Sequence, residues 1–531
     1  MSQAPQTPEG VHFPHHKDGS LSGTFSSTQV GKAIFADSIQ SVQPFLASAI
    51  QKEKQWRKHY IRHVEPMTEI AIENQKNATT IANEGLRSAY HYFKFYRDNK
   101  EQPLAVAMGK PKKGYFHTAK IEGNFAHTES LPTVSIPYKQ QNLENEALLS
   151  QLAKWSGDHI LETSHSESIM NVVKHSEYQD LRNHYFVLLG AGSEVGPMEY
   201  LLSRGANIIA IDLDRKATWQ QLIKKARNSY GTLYIPTLVD TPAHWNDDQI
   251  AEVAGANLLT QTPEIADWLS GFDHELVIGS YAYLDGANHV RVVMAMDAIS
   301  QRLMELNRPI KLAYLLTPTD VFAVPEEVCL AAKYQYDQWK PSKPLKSLLK
   351  VLSANKLFKP NIRKEITSQE GKRYGVVNSL LSQQGTSYVL AKRIQRWRAI
   401  SARQQGAWVS CNIAPATATV SVVKNKMFDA AFKGLGYFGG EVFQPETTNA
   451  LMALLLMNDI QSVESAANPD KTLINPEELF IHGANHGGFW RMANQLSSVL
   501  EIGFILGTAK KTLNNSLFAH TRHLKAFRQQ A

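Results

Sequence analysis

The segment His184-Tyr-Phe-Val-Leu-Leu-Gly190-Ala-Gly192-Ser193-Glu-Val-Gly196-Pro197 constrains the fold more than any other stretch of the chain. Its apolar run suits a buried strand, and the run stops at a glycine-rich turn. Pro197 is fit to open a helix, because the first helical turn has no partner for the N–H that proline lacks. Glycines let the backbone approach a ligand closely, and the first N–H groups of the new helix point at the same turn together with the positive end of its dipole. The segment is therefore predicted to cradle a pyrophosphate with Gly190, Gly192, Ser193 and Gly196. After Arg204-Gly205-Ala206 a second strand, Asn207-Ile-Ile-Ala-Ile-Asp212, brings an acid about 20 positions past the glycines, where an adenosine ribose would be held.

The alternation continues beyond Asp212. Helical periodicity covers about 216–228, a third strand fits Gly231–Asp240, and a fourth fits His274–Tyr281. A helix near 288–306 and a fifth strand at Ile310–Thr317 follow. The rhythm breaks over 321–378 and resumes with a helix from Gly385, a strand at Trp408–Ala414, a helix through Thr447–Asn458 and a last strand at Pro476–Gly483. Strands alternating with helices predict an α/β fold with a doubly wound parallel sheet of Rossmann type, whose strand C-terminal ends share one ligand-binding edge. Around it the sequence divides into an N-terminal mostly helical extension (1–180), the first part of the dinucleotide-binding domain (181–320), a basic helical insertion (321–380), the second part of that domain (381–490) and a helical C-terminal tail (491–531).

Composition narrows the class. Two cysteines in 531 residues, Cys329 and Cys411, exclude a disulfide framework and a cysteine-rich zinc site. No run reaches the ~18 apolar residues of a membrane span, and the polar N-terminus has no signal-peptide core, so a cytoplasmic location is expected. The net charge of +7 is local: eight cations and no acid lie between Lys340 and Lys364.

Tyr388 and Lys392 are at i and i+4 and share one helix face. A neighbouring ammonium stabilises a phenolate and lowers its pKa, which fits tyrosine for general acid–base work. Tyr336 and Lys340 repeat the spacing, but their flanks do not continue the α/β rhythm. The order of parts around Tyr388 resembles the short-chain dehydrogenase/reductase superfamily. Gly190-Ala-Gly-Ser-Glu-Val-Gly196 resembles its nucleotide loop, and Val277-Ile-Gly279-Ser280-Tyr281 stands where the family has Asn-Asn-Ala-Gly. Tyr388-Val-Leu-Ala-Lys392 is similar to its catalytic helix. Val409–Pro415 resembles the strand whose loop covers the nicotinamide, and Glu478–Gly488 its closing strand and Gly-Gly turn. The likeness spans about 184–490 without the insertion.

That resemblance implies hydride transfer between a nicotinamide and a carbonyl or alcohol. Tyr388 would exchange the oxygen's proton, Lys392 would hold the nicotinamide ribose, and Gly279 and Ser280 would border the cofactor. The family's serine is absent, since position 375 is Gly375. Thr317, at the end of the fifth strand, is the best stand-in, ahead of Ser379 and Ser382. The family's middle loop glycine is Glu194. Asp212 favours NAD, because a carboxylate accepts from ribose hydroxyls and repels a 2′-phosphate; Arg215 and Lys216 keep NADP open. These departures also sustain a different class: a noncatalytic nucleotide-binding scaffold or sensor.

The basic stretch 340–364 interleaves cations with Leu345, Leu348, Leu352 and Phe358. It suits an anionic membrane surface, an acidic carrier protein or the phosphates of coenzyme A. No nucleic-acid-binding module accompanies it. With the aromatic N-terminal helices, and a resemblance to ketoacyl reductases within the superfamily, it points to a small-molecule or acyl-thioester substrate with a lipid-like chain. His482 and His486 sit among Gly483, Gly487 and Gly488, so no metal site is expected. Family members are often dimers or tetramers, which leaves a homo-oligomer open.

Overall fold

Fifteen short strands lie among the described residues, and the buried apolar runs among them build one large sheet. The computed structural model describes residues 9–14, 26–338, 353, 356–424 and 426–508. In chain order the strands are β1 (Gly10–His12), β2 (Lys94–Arg97), β3 (Lys100–Pro103), β4 (His117–Glu122), β5 (Ser135–Tyr138), β6 (Gln141–Glu144), β7 (Tyr185–Leu189), β8 (Asn207–Ile211), β9 (Thr232–Thr237) and β10 (Leu276–Ser280). They continue as β11 (Ile310–Leu316), β12 (Val321–Pro325), β13 (Ile362–Thr367), β14 (Arg373–Asn378) and β15 (Val409–Ile413).

The central sheet has seven strands in the order β15-β11-β10-β7-β8-β9-β4. All neighbours are parallel except β4, which pairs antiparallel with β9. Helices cover both faces, as the continuous apolar strands require. Side chains alternate along β7: Val187 and Leu189 join one buried cluster, which contains residues of helices Gln75–Tyr92, Ala287–Glu305 and Gly385–Gln404. Phe186 and Leu188 join the other, with helices Asn145–Gly157, Lys216–Arg227 and Pro445–Gln461. The fold is thus α/β with a mostly parallel central sheet. Among the described residues no helix is long and apolar enough to cross a membrane; the apolar run Ala450–Met457 lies buried in helix Pro445–Gln461.

The N-terminal part is mainly helical, yet it is woven into the sheet. It supplies edge strand β4, and Gly85 lets helix Gln75–Tyr92 press against Trp397, whose ring a Cβ would meet at 2.5 Å. Buried ion pairs lock the same region. Arg398 holds Asp297 at 2.7 Å, and the Tyr90 hydroxyl donates to that carboxylate at 2.8 Å. Arg393 and Arg396 meet Asp320 at 2.9 and 3.1 Å, and Arg396 also meets Glu477. Arg393, Arg396 and Arg398 on helix Gly385–Gln404 thereby each have an anionic partner, which buried charges require.

Two sequence expectations are corrected. The insertion is not simply helical: β12, β14 and β13 form a three-stranded antiparallel sheet beside helix Glu326–Gln338. Residues 339–352, which hold Lys340 and half of the basic stretch, lie outside the described residues. Of the rest of that stretch, Lys364 pairs with Glu69 at 2.8 Å, and Arg363 donates to Gln495 at 2.6 Å. The last strand expected at Pro476–Gly483 is instead the 3-10 turn Pro476–Phe480, capped by the Asn475 side chain. Its acids face inward: Glu478 takes Tyr374 and Lys372, and Glu477 takes Arg396.

Candidate active site

Parallel strands end on one edge, and the residues just past β7, β8, β10, β11 and β15 line one cleft of about 920 Å³ there. Strand order sets its position. The chain leaves β7 toward β8 and β9 on one side, then returns to place β10 on the other, and connections diverging from adjacent strands leave a crevice between them. Gly190 stands at that divergence with φ +94°, and a Cβ there would lie 2.5 Å from the backbone of Ala282. Only glycine fits both the conformation and the space.

One end of the cleft holds the glycine turn and Asp212. The Gly192 N–H donates to Asp212 Oδ2 at 2.7 Å, and the Leu213 N–H donates to Oδ1 at 2.8 Å. The carboxylate is thus aimed across the turn. Ser193, Leu213, Arg215 and Asn257 complete this end. Lys216 is taken by Asp248 and Glu252 at 3.0 and 2.8 Å, whereas exposed Arg215 faces the cleft. The helix after the turn runs only from Met198 to Ser203, with Pro197 as its N-cap. An anion here would depend on the turn's amides more than on a six-residue dipole.

The other end, built from β10, β11 and helix Gly385–Gln404, holds Ser280, Thr317, Tyr388 and Lys392. The Thr317 hydroxyl favours the ionised form of the Tyr388 phenol and meets Thr319 Oγ1 at 2.8 Å, which in turn accepts from Gln384. Lys392 donates to the Leu315 carbonyl at 2.9 Å and to Gln395 at 3.1 Å, with its ammonium 5.9 Å from the Tyr388 ring centroid. Burial dominates both groups. It pushes the Tyr388 phenol above its ordinary value, and it pulls Lys392 down to about 8. The expected lowering of the phenol is therefore reversed, because desolvation of the phenolate outweighs an ammonium that is turned toward a carbonyl. A phenol held neutral is a proton donor.

Several expected residues have other roles. Gly196 is off the cleft; its N–H closes the turn on the Ser193 carbonyl at 3.0 Å. Gly279 is off it too, its missing Cβ making room for the Tyr281 ring, which a Cβ would meet at 2.2 Å. Ser379 and Ser382 do not line the cleft, while Thr317 does. His486 is committed to Glu162 at 2.8 Å. Glu194 turns its carboxylate to the Val420 N–H at 2.9 and 3.0 Å, fastening the glycine turn to the segment after β15. That segment, through Pro415, Thr417, Thr419 and Val422, roofs the cleft.

His289 belongs to the site and carried no motif. It lies in the first turn of helix Ala287–Glu305, 2% exposed, with its ring 5.5 Å from Tyr388 at 21° and 4.7 Å from Tyr283. Neither ring nitrogen has a hydrogen-bond partner. A histidine a few residues beyond the C-terminal end of a central strand was the available signal.

Chemically, the cleft joins an acid facing backbone amides at one end to a neutral phenol, a threonine and an amine at the other, between largely apolar walls. No family model matches this chain, and comparison with curated proteins returns no relative.

Proposed function

We propose that the chain is an NAD(P)-dependent oxidoreductase of the short-chain dehydrogenase/reductase kind, acting on a carbonyl or hydroxyl group of a substrate with an apolar body. The observation that carries this reading is the meeting of Gly190, Gly192 and Asp212 with Thr317, Tyr388 and Lys392 in one cleft, across about 200 residues of sequence. The order of the six parallel strands supports it. Counted from β7 in chain order it reads 3-2-1-4-5-6, the order of dinucleotide-binding Rossmann sheets.

The residues fit a dinucleotide at both ends. Gly190 keeps the turn free of a side chain, Asp212 is placed to accept ribose hydroxyls and so favours NAD, and Arg215 borders the same end. A bound nicotinamide supplies the hydride. Tyr388, kept neutral by burial, donates a proton to the substrate oxygen, and Thr317 holds the tyrosine hydroxyl in line. Lys392, now on the Leu315 carbonyl, would hold a ribose hydroxyl. The apolar walls exclude water and favour an acyl-chain or lipid-like substrate.

Titration with NADH and NADPH, followed by turnover of carbonyl substrates with Tyr388→Phe as control, tests the assignment. Binding without turnover in the wild-type chain, across ketones and acyl thioesters, supports the other reading. In it the chain is a nucleotide-binding scaffold or sensor, which the Glu194 clasp on Val420 favours because a carboxylate sits where phosphates would approach.

A further inference from the structure

Among the described residues that line the cleft, His289 alone carries buried nitrogens with no partner. A neutral imidazole offers one donor and one acceptor, and native proteins seldom leave either unmet away from water. Packing does not explain the residue, since phenylalanine would fill the slot between Tyr283 and Tyr388 without stranding polar atoms. Burial, with Lys392 nearby, pushes the imidazole down to about 3 and keeps it uncharged. Burial likewise keeps the Tyr388 phenol neutral, and the Lys392 ammonium is already engaged by the Leu315 carbonyl and Gln395. Leu315, Leu316 and Val292 wall the same end. Such surroundings penalise an ionised ligand group.

The geometry points to His289 as a substrate-contacting residue whose ring nitrogens hydrogen-bond an uncharged hydroxyl or carbonyl oxygen beside Tyr388. Tyr283, 54% exposed and packed on the imidazole, turns aside to admit the ligand. The inference rests on the cleft being the substrate site of the proposed oxidoreductase. It adds a substrate class: neutral oxo or hydroxy compounds in preference to carboxylic acids, at the reacting end.

The test uses the full chain labelled with ¹⁵N-histidine, with the His289 resonances assigned from His289→Gln. Cyclohexanone and cyclohexanol serve as neutral probes, and cyclohexanecarboxylate as the charged one. The neutral probes are expected to shift the His289 ring nitrogens with saturation, and the carboxylate to bind at least tenfold more weakly. His289→Phe is expected to melt no lower than the wild type yet lose at least tenfold in affinity for cyclohexanone, with His289→Gln recovering part of it. Three results each overturn the inference: no shift with either neutral probe, unchanged probe affinity in His289→Phe, or lowered melting temperatures in both variants, which would mark a packing residue. NADH titration of the same samples separates the two readings. Loss of NADH binding with an intact His289 response removes only the nucleotide assignment, and the converse removes only this one.

Discussion

Replacing Asp320 with alanine strips the shared counter-ion from two arginines on the helix that carries Tyr388. The Asp320 carboxylate takes Arg393 at 2.9 Å and Arg396 at 3.1 Å, and all three side chains are buried. After the substitution Arg396 still has Glu477 and the Val321 carbonyl at 2.8 Å. Arg393 is left with the Val321 carbonyl at 3.2 Å and the Thr68 hydroxyl at 3.4 Å, both neutral. One buried guanidinium without an anion costs about 3–5 kcal/mol. Asp320→Asn, which keeps the shape and one acceptor oxygen, is expected to lose roughly half as much. Urea unfolding followed by circular dichroism measures both. Adding Arg393→Met to Asp320→Ala should recover most of the loss, because the stranded charge leaves with the arginine. A loss below about 1 kcal/mol for Asp320→Ala, or no recovery in the double variant, would refute the argument that paired burial fixes this helix. The site reports the same event independently. Tyr388 precedes Arg393 by five residues on that helix, so turnover should fall further than affinity for NADH, whose proposed site is the distant glycine turn.

Tyr388→Phe removes the phenol beside Thr317, and steady-state assays should find turnover reduced about 10²–10⁴-fold with NADH binding retained. Glu194→Gln keeps the contact with Val420 but removes a negative charge beside the glycine turn; fluorescence titration is expected to show NADH bound roughly fivefold tighter, about 1 kcal/mol. Lys392 is protonated below about 8 and neutral above it, so turnover should fall as pH rises through about 8, and the pH profile of Lys392→Arg should lose that limb. The same shift predicts a stability effect of definite sign. Between about 8 and the ordinary lysine value of about 10.4 the unfolded chain binds more protons than the folded one, so this residue's contribution to stability rises with pH across that window. Gly190→Ala forces a side chain to φ +94° and against Ala282; thermal melting should show a loss of about 1–3 kcal/mol, accompanied by loss of nucleotide binding.

What the sequence makes legible follows from how local the determining physics is. The strand–turn–helix at 184–203 and the strands at 207–211, 276–280, 310–316 and 409–413 are set by apolar runs bounded by glycine, proline or acid, and those signals survive any tertiary context. Pro476–Phe480 is different. Pro-Glu-Glu-Leu-Phe reads as the start of a short strand, but its acids are claimed by Lys372, Tyr374 and Arg396, partners about 80 to 105 residues away, and a 3-10 turn is the backbone that delivers Glu477 and Glu478 to them. Short apolar runs cannot be assigned when distant charges choose the backbone. The candidate site divides along the same line. Gly190, Asp212, Tyr388 and Lys392 sit in spacings with local geometric meaning. The environment of the phenol depends on its burial and on where the Lys392 ammonium points, and neither is written in the interval between them, so the sign of its shift came out reversed. His289 is legible only in part: its place shortly after the end of β10 is local, but the approach of helix Gly385–Gln404 to it is not. It follows that where loop geometry and reactive groups disagree, as Glu194 and Tyr388 do in suggesting a scaffold and an enzyme, the deciding residues are those whose isolation makes sense only with a ligand present. Two unpartnered imidazole nitrogens between Tyr283 and Tyr388 weigh toward the enzyme, since a scaffold that merely held a nucleotide at the glycine turn would have no need of them.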